Sequence, residues 1–359
     1  MKPRLQVTKS FLPPKEEFFS LLGACWENAQ LTNNGPLLTG LEASLNSYLK
    51  AKHSICMSNG TVAIEAAIEA LGLKDCEIIT TPFSFVATLD AIILKKCTPV
   101  FADIDPQTLC IDPQKIEEKI TPRSKAILAV HVFGNLCDVE AIERIAKKHS
   151  LFVIYDAAHS FGSFRDGASV FRYGDISTCS FHATKVFHTA EGGACFTGDD
   201  ALAKKLRGYR SFGLNENMPE AVGTNAKMSE LHAALGLCNL KYLGDILNKR
   251  RAATALYDAQ LPRLKKPLYR HEEVRNYAYY PVIFKSEEQL LDVTAALNGE
   301  EIYPRRYFYP SLNTVPFLDK KQNCPVSEDI ARRILCLPLS VETTEAEVHA
   351  VTSIINKKV

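Results

Sequence analysis

The stretch Ser180-Phe181-His182-Ala183-Thr184-Lys185-Val186-Phe187-His188-Thr189-Ala190-Glu191-Gly192-Gly193 decides how this chain is read. A β-prone run from Ile176 to Phe181 delivers a single lysine, and a Gly-Gly turn then sends the chain into another apolar run, Ala194-Cys195-Phe196. Such a pattern holds a lysine at the end of a strand. Kept from bulk water, its amine has a lowered pKa and can condense with an aldehyde to form a Schiff base. Taken alone, Lys185 reads more readily as a solvated loop residue, the commoner fate of a lysine. The case for chemistry rests on what the rest of the chain brings to it.

With 359 residues, 46% of them hydrophobic, the chain can bury a large core and form two lobes, expected at 1–244 and 245–359. Forty-two Lys and Arg stand against 41 Asp and Glu, a net charge of +1. That balance gives no electrostatic case for nucleic acid or an anionic membrane, and a small polar metabolite fits better. Eleven cysteines lie scattered without a C-x-x-C pair or clustered histidines, which argues against a metal site and for reduced core thiols in a cytoplasmic protein. Residues 1–15 lack an apolar signal core, and no apolar run approaches membrane-spanning length.

Apolar spacing predicts helices from Glu16 to Trp26 and from Leu38 to Leu49, separated by the turn Thr32-Asn33-Asn34-Gly35-Pro36. Strands and helices then alternate: strands at Ser54–Met57, Glu77–Thr80, Thr98–Ala102, Ala126–His131 and Leu151–Tyr155, with helices at Val62–Leu71, Ala87–Leu94, Pro113–Ile120 and Val139–His149. Near-continuously apolar strands in this order predict an α/β fold with a mostly parallel sheet between helices. Ligands bind such sheets beyond the carboxyl ends of the strands. The residues to read are therefore Ser58 to Thr61, Thr81 to Phe85, His131 to Asn135, Asp156 to His159 and Ser180 to Lys185. Ser58-Asn59-Gly60-Thr61 before a helix suits an anion site at a helix N-terminus, and equally suits ordinary capping. Neither a G-x-G-x-x-G after the first strand nor a P-loop occurs, so a dinucleotide site is disfavoured. Beyond a polar loop from Asn215 to Asn225, a helix from Ser229 to Leu243 and a long helix from Asp245 to Ala259 lead into a smaller α+β lobe.

Ser58-Asn59-Gly60-Thr61, Pro82 to Thr88, Asp156-Ala157-Ala158-His159, Ser180 to Lys185, Glu191-Gly192-Gly193 and Gly223 to Met228 stand in the order and approximate spacing of one family. The chain resembles the nucleotide-sugar aminotransferases, the DegT/DnrJ/EryC1/StrS family, from about Thr32 to Leu312. That resemblance implies the type I PLP-dependent transferase fold, as in aspartate aminotransferase, and pyridoxal 5′-phosphate (PLP) as cofactor, cycling through its amine form PMP. It implies that Lys185 binds the cofactor and shuttles the proton, and that Asp156 keeps the pyridine nitrogen protonated. By the same resemblance Phe85 stacks on the ring, Gly60, Thr61 and Ser180 hold the phosphate, and Asn225 reaches it from the neighbouring subunit of a homodimer. The apolar positions of the helix Met228–Leu243 are expected to bury that interface. His159 replaces a frequent glutamine near the cofactor phenolic oxygen, Asn313 replaces a frequent histidine, and His188 has no assigned role.

The implied reaction is ping-pong transamination from L-glutamate to a nucleotide-linked keto sugar. The segments Phe11 to Pro14, Thr32 to Pro36 and Arg305 to Pro310 look most like the VioA-type branch, which aminates C4 of dTDP-4-keto-6-deoxy-D-glucose for O-antigen and lipopolysaccharide sugars. On this resemblance Asn33, His131, Arg306, Tyr307 and Tyr309 are the candidate substrate contacts, although a structural role suits His131 as well. The residues do not by themselves separate C4 from C3 amination. A member that keeps the fold and cofactor site as a binding or regulatory protein would not need the lysine, the aspartate and the phosphate cradle together.

Overall fold

The computed structural model describes residues 5–215, 218–271 and 275–359. The chain enters through β1 (Leu5–Gln6), followed by α1 (Lys15–Asn28) and α2 (Pro36–Leu49). The alternation then runs β2 (His53–Met57), α3 (Gly60–Ala70), β3 (Glu77–Thr80), α4 (Val86–Leu94), β4 (Thr98–Phe101), α5 (Pro113–Glu117), β5 (Ser124–Val130), α6 (Val139–His149) and β6 (Phe152–Asp156). A short hairpin, β7 (Phe164–Arg165) and β8 (Ala168–Ser169), precedes β9 (Ile176–Ser180) and β10 (Gly193–Thr197). After α7 (Asp200–Arg210), the expected polar loop holds a small hairpin, β11 (Leu214–Asn215) and β12 (Met218–Pro219); its residues Glu216 and Asn217 lie outside the described residues. The remainder comprises α8 (Glu230–Lys241), α9 (Leu243–Gln260), β13 (Tyr280–Ile283), α10 (Glu287–Gly299), β14 (Ile302–Tyr303), α11 (Pro325–Arg333), β15 (Ile334–Leu337) and α12 (Glu345–Asn356).

Seven strands form the main sheet in the order β2-β10-β9-β6-β5-β3-β4. The five from β9 to β4 are parallel, and β10 runs antiparallel between β9 and β2. Apolar residues cover both faces. On one side α1, α2 and α6 bury Cys25, Leu38, Leu41 and Ile142; on the other, α3, α4 and α7 bury Ile64, Ile68, Ile92 and Leu206. The alanines of α3 at 63, 66, 67 and 70 are nearly or fully buried. Their small size lets the helix lie close to β9 and β10, where the Cys195 thiol donates to the Ala63 carbonyl at 3.1 Å. All eleven cysteines are buried free thiols.

The helix expected to cover a subunit interface is covered by its own chain. Ala233, Ala234 and Cys238 of α8 are fully buried, and Gly236 lies so close to Leu41 of α2 that a methyl group there would meet it at 3.0 Å. At the start of α8, Glu230 is fully buried and accepts from the Leu37 and Leu38 N–H groups at 2.7 and 3.1 Å. The N-cap residue of α2, Gly35, offers no side-chain acceptor, so a carboxylate from a distant helix does that work. A Cβ on Gly35 would sit 2.6 Å from the Glu230 carboxyl carbon, which explains the glycine.

The second lobe packs β13 and β15 against α10, α12 and the later part of α9, around Tyr257, Tyr280, Val293 and Val351. Its sheet is the antiparallel pair β13 and β15. The N-terminal β1 pairs in parallel with β14 of this lobe, so the first described residues lie with the second lobe rather than the first. A shared apolar cluster, including Phe83, Phe133, Ile283 and Phe308, joins the two. No helix among the described residues is long and apolar enough to cross a membrane.

Candidate active site

The loop between β9 and β10 carries Lys185. Two backbone bonds close its base, from Phe181 N–H to the Gly192 carbonyl at 2.8 Å and from Thr189 N–H to the Phe181 carbonyl at 2.9 Å. The N-terminal segment straps the loop from outside. Ser10 Oγ donates to the Ala183 carbonyl at 2.7 Å, and the His188 Nε2 lies 2.7 Å from the Phe11 carbonyl, an arrangement in which Nε2–H donates. That is the role of His188: it fastens the strap to the lysine loop.

Lys185 faces a cavity of about 270 Å³ whose wall includes Gly60, Phe85, Asp156, His159 and Ser180. These residues come from the carboxyl ends of β2, β3, β6 and β9, where the strand alternation placed them. Burial lowers the Lys185 pKa, against the opposing pull of Asp156, Tyr307 and Cys179. Its Nζ donates to the Tyr279 hydroxyl at 3.3 Å.

Asp156 is buried at the end of β6. One carboxyl oxygen accepts from Thr88 Oγ1 at 2.8 Å and the other from Ala158 N–H at 3.1 Å, with Ser84 Oγ 2.8 Å from Thr88 Oγ1. Burial raises its pKa, while Thr88, Ala158 and Lys185 pull it back. A cation facing this carboxylate would relieve that cost.

His159 accepts from Phe133 N–H through Nδ1 at 3.1 Å, which leaves the proton on Nε2 in the neutral ring. Burial, and secondarily Lys185, hold its pKa well below the usual histidine value. Its ring lies parallel to Phe133 and Phe308, with centroids 6.3 and 5.7 Å away.

At the other end of the cavity Gly60 opens α3. A Cβ on Gly60 would stand 2.8 Å from the Ser180 Cβ, and one on Gly193 would stand 2.5 Å from the Asn59 carbonyl oxygen. Only glycine permits this approach of the helix N-terminus to the ends of β9 and β10. Asn59 caps α3 by accepting from Val62 N–H at 2.9 Å, so capping and anion binding coexist: the Gly60 and Thr61 N–H groups precede the first intrahelical bonds. Phe85, 53% exposed, presents its ring to the cavity, whereas Phe83 is the core residue. An exposed ring, a buried carboxylate, an amine and an anion cradle together fit a phosphorylated aromatic aldehyde.

Of the expected substrate contacts, Tyr307 lines the cavity and four others do not. His131 is fully buried, stacked on Tyr155 with centroids 4.6 Å apart, and its Nδ1 accepts from Cys137 N–H at 3.3 Å. Burial pushes its pKa down to about 3, so it is a neutral core histidine. Asn33 sits in an exposed left-handed turn, φ 63°, away from the cavity wall. Arg306 bonds Glu287 at 2.6 Å and lies 3.6 Å over the Tyr309 ring, itself exposed. Arg305 lines the cavity instead. Backbone pairing of Arg305 with Cys336 makes the segment extended there, and side chains then alternate, placing 305 and 307 on the cavity side and 306 on the other. Asn313 is buried, bonded to Gln322 and Glu328 at 2.7 Å each, and serves structure. Asn225 is exposed, accepts from Lys227 Nζ at 2.6 Å and is absent from the wall of its own chain's cavity. Thr88, Tyr279 and Arg305 were not foreseen; Thr88, in the motif Pro82 to Thr88, and Arg305, in the segment Arg305 to Pro310, stood in stretches with a signal, and Tyr279 did not.

The DegT/DnrJ/EryC1/StrS aminotransferase family matches residues 14–356. A dTDP-4-amino-4,6-dideoxy-D-glucose transaminase of Shigella dysenteriae is 40% identical over 366 aligned positions, which cover 99% of this chain and 100% of that protein. Among solved structures, DesI in the presence of its TDP-sugar product superposes with a TM-score of 0.94 at 30% identity, covering 99% of this chain and 93% of the other. NtdA of Bacillus subtilis with bound cofactor PMP gives 0.87 at 31% identity, covering 95% and 82%. With motifs, cavity and likeness in agreement over nearly the whole length, the chain is a PLP-dependent aminotransferase and belongs to the DegT/DnrJ/EryC1/StrS aminotransferase family.

Proposed function

We propose that this protein transfers the amino group of L-glutamate to C4 of dTDP-4-keto-6-deoxy-D-glucose, giving dTDP-4-amino-4,6-dideoxy-D-glucose. The observation that carries the reaction class is the single cavity uniting Lys185, Asp156, the Gly60 cradle and Phe85. Full-length likeness to the Shigella transaminase supports the sugar and position. Gly60 and Thr61 N–H groups and the Ser180 hydroxyl would hold the PLP phosphate, Phe85 would cover the ring, and His159 would donate through Nε2 near the phenolic oxygen. PLP supplies an electron sink when bound. Asp156 would keep the ring nitrogen protonated, held in place by Thr88. Lys185 Nζ would take the proton from the reacting carbon and return it one position away, and burial, by lowering its pKa, favours the neutral amine that a base must be. Tyr307 and Arg305 would meet the sugar nucleotide from the second lobe. Two lobes dividing at 244/245, with Leu5–Gln6 joined to the second, suit this arrangement. A cytoplasmic location suits eleven buried thiols.

The purified protein is expected to show an absorbance band at the edge of the visible that bleaches with L-glutamate and returns with the 4-keto sugar. NMR of the product should place the new amine on C4. An amine on C3, or no bleaching by glutamate, would refute this assignment.

We also infer a homodimer in which Asn225 serves the partner's phosphate site. Its exposure outside its own cavity supports this reading, as do Phe212, Met218 and Val222, which expose apolar surface in the same segment. Mixing Lys185→Ala with Asn225→Ala subunits should raise activity above either parent, because one hybrid site recovers both residues. Verified exchange without recovery counts against sharing.

A further inference from the structure

The lysine loop belongs to the first lobe, yet the hydrogen bond of the Lys185 amine goes to Tyr279, one residue before β13 of the second lobe. That tyrosine is held from several directions. Its ring meets His159 edge-on at 4.7 Å, Tyr307 edge-on at 5.5 Å and Phe133 at 5.6 Å. The backbone leading to it is bolted to both lobes: the Asn276 amide donates to the His159 and Phe161 carbonyls at 2.7 and 2.9 Å, and the buried Arg250 donates to the Tyr277 and Ala278 carbonyls at 3.1 and 2.8 Å. Rings and backbone fix where the hydroxyl stands.

We propose that Tyr279 is a positioning residue for the amino transfer, its hydroxyl oxygen accepting from the Lys185 amine whenever that amine is not bonded to the cofactor. This rests on the reading in which Lys185 is the transferring amine. A free lysine side chain spreads over many rotamers, whereas one anchored N–H keeps the nitrogen beside the reacting carbon. When the nitrogen takes a proton from that carbon it becomes an ammonium group, and the bond to Tyr279 becomes charge-assisted and stronger. The phenol keeps its own proton throughout: burial raises the Tyr279 pKa, so it holds the proton carrier without relaying the proton. The groups that act on the amine are Asp156, Tyr307 and Cys179, with neutral His159 nearby and Glu191, His182 and Arg305 elsewhere on the same cavity wall; of those acting on it, Asp156 is the one that favours the ammonium form most.

Tyr279→Phe tests this, since it keeps the ring packed on His159, Tyr307 and Phe133 and removes one oxygen. In the full-length chain stripped of cofactor, the pH profile for recapture of PLP should shift toward acid by about half a unit to one unit, because the ammonium form loses its acceptor. In the loaded enzyme the glutamate half-reaction should slow about tenfold at saturation, with little change in the glutamate concentration giving half-maximal rate. A wild-type pH profile or a wild-type half-reaction rate overturns the proposal. Lys185→Ala run alongside separates the two ideas: if it is inactive while Tyr279→Phe behaves as wild type, Tyr279 alone is misassigned, and if it is active, the reading of Lys185 itself fails.

Discussion

Lys185→Ala is expected to lose transamination by about four orders of magnitude or more, since on the proposed reading it removes both the amine that bonds the cofactor and the base that moves the proton. The fold survives. The side chain is only part-buried, faces a cavity and makes its one described side-chain bond to Tyr279, so truncation opens no dry void in the core. Removing an amine whose charged form is penalised by burial should leave the melting temperature within a few degrees of wild type or slightly above it. Cofactor can still settle into the Gly60 and Ser180 cradle without a covalent bond. Borohydride treatment should therefore fix PLP to the wild-type chain and leave the variant chain at its unmodified mass. Turnover within a factor of a few of wild type, at an unchanged melting temperature, would remove Lys185 from the mechanism.

Much of the first lobe was legible because its signals are local. Strands such as β5 are buried along nearly their whole length and so read as apolar runs, and the ends of β3 and α6 fall where the spacing put them. Asp156 and Ser180 end β6 and β9 and Gly60 opens the helix after β2, so topology alone brings them to one edge of the sheet, whereas Lys185 lies five residues past β9 on a loop whose base is closed by its own backbone bonds. What escaped depends on partners far away in sequence. Tyr279 meets Lys185 across 94 residues, and Glu230 caps α2 across 193. The choice of Arg305 over Arg306 turns on one backbone register with Cys336. His131 followed a strand end like the others, but its ring turned onto Tyr155 and into the core. Helix α11 opens at Pro325 with few apolar residues, and β1 and β14 are two residues each, too short for any period to show. An apolar helix face also does not say what covers it, which is why α8 looked like an interface and proved to be packed against α2 of its own chain.

Asp156→Asn should slow the glutamate half-reaction by about three orders of magnitude, because an amide cannot hold a pyridinium cation by charge and the electron sink weakens. Shape is retained. The amide oxygen can still accept from Ala158 N–H, and its NH₂ can donate to Thr88 Oγ1, which then turns its own proton toward Ser84. Stability should move the opposite way in the cofactor-free protein. Burial raises the folded pKa of Asp156, so between the unfolded carboxyl value and that higher one the folded state binds more protons, and stability falls as pH rises through the window. Above that window the wild-type protein carries an ionised buried carboxylate that the asparagine variant lacks. There the cofactor-free variant should therefore melt at the same temperature or higher, with the difference shrinking as pH falls below the folded pKa. Loading with PLP should reverse the order, since the facing cation stabilises only the carboxylate. An unchanged half-reaction together with an unchanged melting order on loading would place Asp156 away from the cofactor ring and leave the raised pKa as a consequence of burial alone.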